Sequence, residues 1–430
     1  MNHFARRGGE LFCEEVPLAR IAQEAGTPSY VYSTATLLRH ARVFREAIEP
    51  LPAALCCYAV KAAGNLALLA LLAREGYGFD IVSGGELFRA LAAGADPARI
   101  VFSGVGKRED ELAAALDAGI LQFNCESEEE LRALSRVAVA RGKIAPVALR
   151  VNPQVKALTH RHIATALSTS KFGVPASRAR AAFRLAASLP ALRVVGLACH
   201  IGSQIAEVRP FIEAARKLRA LAAQLREDGH ALLHLDLGGG LGVPYGEERA
   251  PVAPEVYGRA LAHELAGLPL RVLLEPGRLI VANAGVLLAR VLLRKRGAGT
   301  RQFVVADAGM NDLLRPALYD AYHQVEPVGS PRSATSGKAR RPTRRAPATE
   351  LVDLVGPVCE SADVLARRRR LPRLEAGDLF VLRTAGAYGM SMASQYNARP
   401  RPAEVLVDGA NFRIVRARET FEDLIRGETV

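Results

Sequence analysis

The sequence of 430 residues lacks tryptophan, has only six cysteines, and contains no apolar run near the ~20 residues that a membrane-spanning helix needs. No apolar stretch follows the basic residues at its start, so no secretory signal is expected. The cysteines form no CxxC pair and no zinc-like spacing, which predicts free thiols in a reducing cytoplasm and no metal site. Because 50% of the residues are apolar, the composition excludes a disordered chain, collagen and a disulfide-stapled miniprotein.

The positive charge of the chain is concentrated in two short stretches. Lys and Arg number 57 against 44 Asp and Glu, a net charge of +13 that is often found in proteins binding nucleic acid or anionic membranes. Ten of these cations lie in residues 329–349 and 367–370, and the rest of the chain is nearly balanced. The first stretch is rich in Ser, Pro, Gly, Thr and Ala, which predicts an exposed, disordered insert. A solvated insert is favoured over one that contacts a polyanion, so nucleic acid is not the expected partner.

From about residue 54 to residue 285, short apolar runs alternate with longer amphipathic stretches. Continuous apolar runs are typical of strands buried on both faces of a parallel sheet, and they occur at 55–60, 77–82, 99–103, 120–125, 146–151, 194–200, 232–237 and 271–275. Apolar residues at three- and four-residue steps predict helices between them, such as 65–74, 85–93, 127–141 and 207–227. Eight strand–helix units over about 230 residues fit a (β/α)8 TIM barrel, with a doubly wound open sheet as the alternative.

After residue 286 the pattern changes to strands separated by Gly, Pro and charged loops. Strands are predicted at 286–293, 301–307, 351–355, 378–384 and 404–407, and a helix at 420–426. We therefore predict a barrel over 35–285 and a second, mainly β domain of Greek-key or barrel-like type over 286–430. An N-terminal segment, 1–34, is expected to join the β domain, and the basic insert 329–349 interrupts that domain.

Polar side chains follow each predicted barrel strand. In a TIM barrel the carboxyl ends of the strands meet at one mouth, where catalytic groups lie. The sequence therefore brings a lysine, a histidine, carboxylates, an arginine and a glycine-rich loop to one pocket. The residues in these places are Lys61, Ser83, Ser103, Asn124, Glu126, Arg150, Asn152, His200, the loop 238–240 and the turn 275–278.

Three of these features together indicate a cofactor. A surface lysine is the ordinary explanation of Lys61, but a partly buried lysine loses its charge readily and makes a good amine nucleophile for a Schiff base. The loop 238–242, GlyGlyGlyLeuGly, is no Walker loop and a poor dinucleotide fingerprint, yet barrels often hold phosphate after strands seven and eight. Glu275 is a candidate partner for a pyridinium nitrogen, and His200 a candidate for covering one ring face. The set predicts pyridoxal 5'-phosphate.

At these residues the chain resembles the pyridoxal-phosphate decarboxylases of the alanine-racemase-like fold, and within them the diaminopimelate decarboxylase family. One such motif would be weak, but eight of them stand in the same order over nearly the whole chain. They are TyrAlaValLysAla at 58–62, PheAspIleValSerGlyGlyGluLeu at 79–87, HisIleGlySerGln at 200–204, LeuGlyGlyGlyLeuGly at 237–242, GluProGlyArg at 275–278, ArgProAlaLeuTyrAspAlaTyrHis at 315–323, GlyProValCysGluSerAlaAsp at 356–363 and GlyAlaTyrGlyMetSerMetAlaSerGlnTyrAsn at 386–397.

The resemblance implies a role for each motif residue. Lys61 carries the cofactor as a Schiff base, His200 stacks on its ring, and Glu275 pairs with the pyridine nitrogen. Cys359 is the implied proton donor and reaches the active site of the neighbouring subunit with Glu360, so a homodimer with shared active sites is expected. The other implied cofactor-binding residues are Ser83, Ser203, Gly238, Gly239, Gly240, Pro276, Gly277, Arg278 and Tyr388.

The implied substrate is meso-2,6-diaminopimelate, a small amino acid with a second amino-acid head. Its distal carboxylate needs cations, for which arginine gives two-point recognition, and its distal ammonium needs an anion. The resemblance places Arg278, Arg315 and Tyr319 on that carboxylate and Glu360 on the ammonium, with Tyr388 also at the substrate. Decarboxylation would then yield L-lysine and carbon dioxide, the last step of lysine biosynthesis.

Three departures from the family pattern and several competing functions accompany this interpretation. Ala63 stands where the family usually has Asn, Lys156 where it has an acidic residue, and the basic insert is longer than expected.

An ornithine or arginine decarboxylase is disfavoured, because two arginines would repel a cationic tail. A racemase is disfavoured because racemases tend to place an arginine at the pyridine nitrogen. Two competing functions stay open: a related decarboxylase for another amino acid, such as ornithine, arginine or a carrier-bound one, and a polyanion-binding protein that uses the insert.

Overall fold

The computed structural model of the chain describes residues 2–155, 171–246, 250–329 and 349–430. In these ranges the strands, β1 to β21 in chain order, are Phe4–Arg7, Glu10–Cys13, Val16–Pro17, Ser29–Ser33, Leu55–Ala59, Gly78–Ile81, Ile100–Phe102, Gln122–Cys125, Ala145–Asn152, Val174–Pro175, Leu192–Ala198, His234–Asp236, Arg271–Leu274, Gly285–Arg296, Gln302–Ala306, Val325–Pro327, Thr349–Val355, Val364–Pro372, Leu379–Leu382, Ala403–Asp408 and Asn411–Arg416. The helices, α1 to α12, are Leu18–Glu24, Thr34–Ile48, Leu66–Arg74, Gly84–Ala92, Glu109–Ala118, Glu128–Ala140, Ala179–Ser188, Arg209–Glu227, Pro254–Glu264, Arg278–Val281, Arg315–Tyr319 and Phe421–Leu424. Lys156 and nearly all of the basic insert lie outside the described residues.

The chain divides into two compact units. One, here called the β unit, comprises Met1–Leu37, Tyr245–Glu248 and Val281–Val430. The other, the barrel unit, comprises Leu38–Pro244 and Arg249–Ile280. Each unit therefore collects its residues from more than one stretch of the sequence.

Eight parallel strands of the barrel unit close on themselves. Their order is β9, β11, β12, β13, β5, β6, β7 and β8, and β8 pairs back onto β9. At the closing pair Phe123 lies opposite Val147, and elsewhere in the ring Leu274 lies opposite Cys56. The predicted TIM barrel is confirmed, and the open doubly wound sheet is wrong, because an open sheet would leave β8 and β9 unpaired with each other.

The local sequence explains how strands and helices alternate around this ring. The strand β5, Leu55–Ala59, is buried at every residue, as a parallel strand covered on both faces must be. The helices that follow several strands begin at polar caps, because a side-chain oxygen satisfies one of the free N–H groups of the first turn. Asn65, Ser83 and Ser127 accept these bonds at the starts of α3, α4 and α6.

The β unit is built on a mostly antiparallel sheet, with strand order β18, β17, β15, β14, β4, β20, β21. Its central strand β4 comes from the N-terminal segment and lies between β14, which is antiparallel to it, and β20, which is parallel. Val31, Leu288 and Val405 are buried in the core of this unit. The prediction of a second, mainly β domain is confirmed.

Two elements of the β unit differ from the predictions. The strand β18, Val364–Pro372, was not predicted, because it contains the arginine run 367–370. The Arg369 guanidinium lies 3.4 Å from the Tyr322 ring centroid, so this cation packs on an aromatic face. The helix predicted at 420–426 is only one turn, Phe421–Leu424.

Candidate active site

The amine of Lys61 lies at the mouth of the barrel, directly after β5. A short turn of helix, Val60–Ala62, carries it, and its side chain is one-third exposed. The amine donates a short hydrogen bond to Asp80 Oδ2 on the neighbouring strand β6, and the Asp80 side chain is completely buried. The other Asp80 oxygen, Oδ1, has no hydrogen-bond partner among the described residues. A buried carboxylate with one unsatisfied oxygen beside an accessible amine is typical of a site built for a polar ligand.

A second buried carboxylate, Glu275, follows β13, the strand next to β5 in the ring. Ser103 Oγ lies 3.3 Å from Glu275 Oε1, and Asn124 Nδ2 lies 3.4 Å from it. Burial raises the pKa of Glu275 well above its ordinary value, and the nearby charges of Asp236 and Asp80 raise it further. The charges of Lys61 and Arg150 oppose this shift, and the net effect favours the protonated form of the Glu275 carboxyl group more than in an exposed glutamate.

Asp236, at the end of β12, shares the Glu275 environment. Its Oδ1 accepts a bond from Gly238 N at 2.9 Å, and its Oδ2 accepts one from Asn124 Nδ2 at 2.9 Å. Burial raises the pKa of Asp236 to about 6, while these two hydrogen bonds oppose the shift. The barrel interior thus holds three neighbouring carboxyl groups, and the protonation of Asp236 and that of Glu275 depend on each other.

His200, just after β11, lies against the glycine loop. Gly239 N donates to His200 Nδ1 at 3.2 Å, so Nδ1 is the acceptor and the proton of the neutral ring is on Nε2. Burial lowers the pKa of His200 well below its ordinary value, and the positive charges of Arg150 and Lys61 lower it further. The ring is therefore neutral and presents flat apolar faces at the barrel mouth.

The backbone of the glycine loop approaches its neighbours too closely for any side chain. A Cβ on Gly239 would lie 2.0 Å from the Glu275 carbonyl oxygen, and one on Gly240 2.3 Å from that of Gly202. Gly240 also has φ +114°, which strongly favours glycine. Beside this loop, Arg278 Nη2 donates to Ser203 Oγ at 3.1 Å. A cation and a hydroxyl group beside a glycine-rich loop are groups that a phosphate prefers.

Two further predicted residues have contacts that shape the mouth. Ser83 Oγ accepts from Glu86 N at 3.2 Å and so caps α4, which is a structural role at a predicted cofactor position. The carbonyl of Pro276 accepts from Ala59 N at 3.1 Å and ties the turn 275–278 to β5. Gly277 packs against β5 as well, since a Cβ there would lie 3.0 Å from Ala59 Cβ.

Apart from Arg278, the residues predicted to bind the substrate lie in the β unit. Arg315 begins α11 and is buried, and Tyr319 ends the same helix half-buried. Tyr388 adopts a left-handed backbone with φ +56°.

Cys359 and Glu360 lie exposed in the connection between β17 and β18. Cys359 N donates to Asn397 Oδ1 at 2.7 Å, and Tyr396 OH donates to Glu360 Oε2 at 3.3 Å. Within the β unit, the structure therefore fixes the loop that carries the predicted proton donor and leaves its thiol accessible.

Sequence reasoning missed two carboxylates of the barrel interior, Asp80 and Asp236. Both are buried within predicted strands that are mainly apolar, and a charged residue in such a strand is costly unless it is paired. A carboxylate in a mainly apolar strand was therefore the sequence signal that could have identified these two residues. Of the departures from the family pattern, Ala63 is buried and its carbonyl accepts from Tyr58 OH at 3.2 Å, whereas Lys156 is outside the described residues.

Metal-binding clusters and membrane-spanning helices are both absent from the described ranges. These ranges contain no group of three or more His, Cys, Asp or Glu residues arranged to hold a metal ion. Their helices include none with the length and apolar character needed to cross a membrane.

Comparison with known proteins matches the barrel with a family model. Residues 35–282 match the model described as pyridoxal-dependent decarboxylase, pyridoxal binding domain. Over its full length the chain is 50% identical to a protein of Pseudomonas aeruginosa named diaminopimelate decarboxylase, covering 99% of that protein. A protein of the same name from Haemophilus influenzae is 47% identical over 99% of the chain and 98% of that protein.

Solved structures give the same result in three dimensions. Diaminopimelate decarboxylase from Helicobacter pylori, complexed with L-lysine, is 40% identical, with a TM-score of 0.87 over 95% of this chain and 98% of that one. The enzyme of the same name from M. jannaschii, also in complex with L-lysine, is 35% identical, with a TM-score of 0.91 over 100% and 99% of the two chains.

Proposed function

Because the chain belongs to the pyridoxal-dependent decarboxylase family, we propose that it converts meso-2,6-diaminopimelate into L-lysine and carbon dioxide, the last step of lysine biosynthesis. Relatives named for this activity match it from end to end at up to 50% identity. The observation that carries the proposal is that the Lys61 amine and the buried carboxyl group of Glu275 directly follow two adjacent barrel strands, β5 and β13. This arrangement is what a pyridoxal-dependent decarboxylase requires at the two ends of its cofactor ring.

The residues at the barrel mouth fit pyridoxal 5'-phosphate. Lys61 Nζ would hold it covalently, and the unsatisfied Oδ1 of buried Asp80 offers a further polar contact nearby. The glycine loop 238–240, with Ser203 and Arg278, would hold the phosphate. When bound, the cofactor supplies an electron sink for the electron pair that the departing carboxyl group leaves behind.

Glu275 and His200 would control the ring of that cofactor. The raised pKa of Glu275 favours its protonated form, and a hydrogen bond between this carboxyl group and the ring nitrogen would help to keep that nitrogen protonated. The neutral His200 ring adds no positive charge beside that nitrogen and provides a flat surface for stacking. These two residues would thus favour decarboxylation by keeping the ring electron-poor.

In this proposal the β unit supplies substrate recognition and proton delivery. Arg315 and Tyr319 would bind the distal carboxylate of diaminopimelate, and Tyr388 would also contact the substrate. Glu360 would bind the distal ammonium, and Cys359 would donate the proton that completes L-lysine. Cys359 and Glu360 are exposed in the single chain, which suits delivery to the active site of a second copy in a homodimer. The six unpaired cysteines suit a cytoplasmic location.

Cofactor absorbance and carbon dioxide release test the activity. The purified protein should show the visible absorbance of a lysine-bound pyridoxal cofactor and should release carbon dioxide from meso-diaminopimelate. Ornithine, arginine and glutamyl substrates run in parallel should react far more slowly, because they lack the second amino-acid head. Faster turnover of any of these than of diaminopimelate would overturn the substrate assignment, and absence of the absorbance would overturn the chemistry.

A further inference from the structure

We propose that His323 is a positioning residue that, together with the ring of Tyr245, fixes the Arg315 guanidinium for recognition of the distal carboxylate. This inference rests on the proposed function, which assigns Arg315 to that carboxylate. All three residues belong to the β unit.

Arg315 is a buried cation, only 6% exposed, and it needs partners to offset the loss of water. Its Nη1 lies 3.0 Å from His323 Nε2, and its guanidinium carbon lies 4.4 Å from the centroid of the Tyr245 ring. The Tyr245 and His323 rings in turn pack edge to face, with centroids 5.4 Å apart and planes at 83°. The guanidinium is therefore held by an in-plane hydrogen bond and by an aromatic ring at the same time.

The partners of His323 determine its protonation state by geometry. Its Nδ1 lies 2.9 Å from the Arg383 carbonyl oxygen, which can only accept, so Nδ1 must carry the proton. Its Nε2 faces a guanidinium, which can only donate, so Nε2 must be the acceptor. Only the neutral ring with its proton on Nδ1 satisfies both bonds. The completely buried His323 is thus a neutral acceptor aimed at Arg315.

The carbonyl that anchors His323 is itself held in place. Arg383 N donates to the Gln324 carbonyl at 2.8 Å, and the neighbouring Leu382 pairs with Val325 in the β16–β19 ladder. The Arg383 side chain also forms a 2.6 Å ion pair with Glu326. A continuous series of hydrogen bonds therefore runs from the sheet through His323 to Arg315. This series fixes the guanidinium plane before a substrate arrives.

A fixed guanidinium plane favours ligands that carry a carboxylate. His323 occupies one N–H of Arg315 and leaves the planar group oriented for two-point bonding to a carboxylate. A guanidinium that is oriented before binding lowers the entropy cost of binding. Loss of this orientation should therefore weaken the binding of ligands that carry the carboxylate, and not of ligands without it. His323 acts only through Arg315 and has no expected contact with the reacting atoms.

The experiment compares two ligands of the holoenzyme that differ by one carboxylate. L-lysine carries the carboxylate that the proposed function assigns to Arg315, and pentane-1,5-diamine is the same chain without it. The substitution His323→Leu should weaken the binding of L-lysine by about tenfold, because one charge-assisted hydrogen bond is lost. The affinity for pentane-1,5-diamine should change by less than about twofold. KM for diaminopimelate should rise in parallel, with kcat nearly unchanged. Dissociation constants from calorimetry and steady-state kinetics give both readouts.

Two variants separate positioning from folding. His323→Gln offers an amide oxygen to Arg315 and should restore most of the selectivity for L-lysine. His323→Asn can bond the Arg383 carbonyl but does not reach Arg315, so it should behave like His323→Leu even if leucine is not accepted in the fold. The control His40→Leu removes a histidine whose Nδ1 lies 3.1 Å from the Ile280 carbonyl in the barrel unit, and it should leave selectivity unchanged.

The outcomes distinguish this inference from the proposed function. If the wild type prefers L-lysine and both His323→Leu and His323→Asn keep that preference, the positioning role is overturned. Equal weakening of both ligands also overturns it, since that is the result of a purely structural role. If the wild type itself binds the two ligands alike, the carboxylate site of the proposed function is wrong, and the inference is overturned with it.

Discussion

The cysteines show that the molecule contains two kinds of region, a buried one and an exposed one. The five cysteines other than Cys359 are buried, and burial raises the thiol pKa in each, to about 12 in Cys56. Cys359 is exposed in a loop of the β unit. The carboxyl groups show the same contrast, since Asp80, Asp236 and Glu275 are buried in the barrel and Glu360 is exposed.

This contrast teaches how protonation is controlled in each region. In the barrel interior, burial and neighbouring charges fix which groups carry protons before any ligand arrives. In the loop of the β unit, Cys359 and Glu360 stay accessible, and hydrogen bonds with Asn397 and Tyr396 set only where they lie. Substitutions can disturb each region separately.

The largest effect is expected from removing the barrel amine. Lys61→Ala should abolish both the visible cofactor absorbance and decarboxylation, because no other group is proposed to hold the cofactor covalently. Absorbance spectra and carbon dioxide release measure this. Lys143→Ala, which removes an exposed lysine paired with Asp117, should keep both signals. An unchanged spectrum in Lys61→Ala would contradict the assignment of the amine.

Removing the exposed thiol should separate chemistry from cofactor binding. Cys359→Ala should slow turnover by about 10²–10⁴-fold, the usual contribution of a positioned proton donor, while the cofactor absorbance remains. Cys56→Ala, at a buried thiol, should leave turnover near that of the wild type. Loss of the cofactor in Cys359→Ala would show that the loop serves cofactor binding instead.

Mixing two inactive variants tests whether the exposed loop serves a second copy. Lys61→Ala and Cys359→Ala, unfolded and refolded together, should recover about a quarter of wild-type activity, because half of the dimers are mixed and each has one intact site. Analytical ultracentrifugation checks the dimer directly. No recovery from a mixture that does form dimers would mean that each chain uses its own Cys359.

A smaller effect on turnover is expected at the buried carboxyl group of the barrel. Glu275→Gln should retain the cofactor but lower kcat by about 10²-fold, since an amide cannot give its proton to the ring nitrogen. Glu264→Gln, on α9 where Glu264 is paired with Arg216, should leave kcat unchanged. Wild-type kcat in Glu275→Gln would rule out proton donation by this residue.

The smallest effect is a pH dependence of stability at Glu86. Burial raises its pKa to about 7, and the Lys61 charge partly opposes this. The folded state therefore binds more protons than the unfolded state between pH 4.5 and about 7, and stability decreases as pH rises through that interval. Relative to Glu86→Gln, the wild type should lose roughly 1–3 kcal/mol of unfolding free energy across it. Denaturant unfolding at several pH values checks this, and parallel curves for the two proteins would contradict it.

Much of the barrel was predictable because the apolar composition of its strands indicates that they are buried. The strand β5, Leu55–Ala59, is apolar throughout, and Ser127 marks the start of α6 as a cap should. The closed barrel was favoured by the number and total length of the strand–helix units, since the pairing of β8 with β9 is a long-range contact that no local pattern records. In the β unit, the arginines of β18 concealed a strand, because a strand with one exposed face tolerates charge there.

Within the site, motifs revealed the residues that stand in turns, and physical contacts revealed those inside strands. Lys61 and Glu275 follow their strands and were found. Asp80 and Asp236 lie within theirs and were missed. The relation of His323 to Arg315 depends on the rotation of two side chains, which sequence spacing does not specify.

The central place of β4 in its sheet has a consequence for synthesis on the ribosome. This strand is translated long before its partners, since Tyr32 pairs with Gly285 and Val31 pairs with Val405. At a usual elongation rate of ~5–20 residues per second, β4 waits roughly 12–50 s for its first neighbour. During that interval both edges of a strand that is buried in the folded protein lack their final partners, and unpaired edges of this kind are open to pairing with other chains.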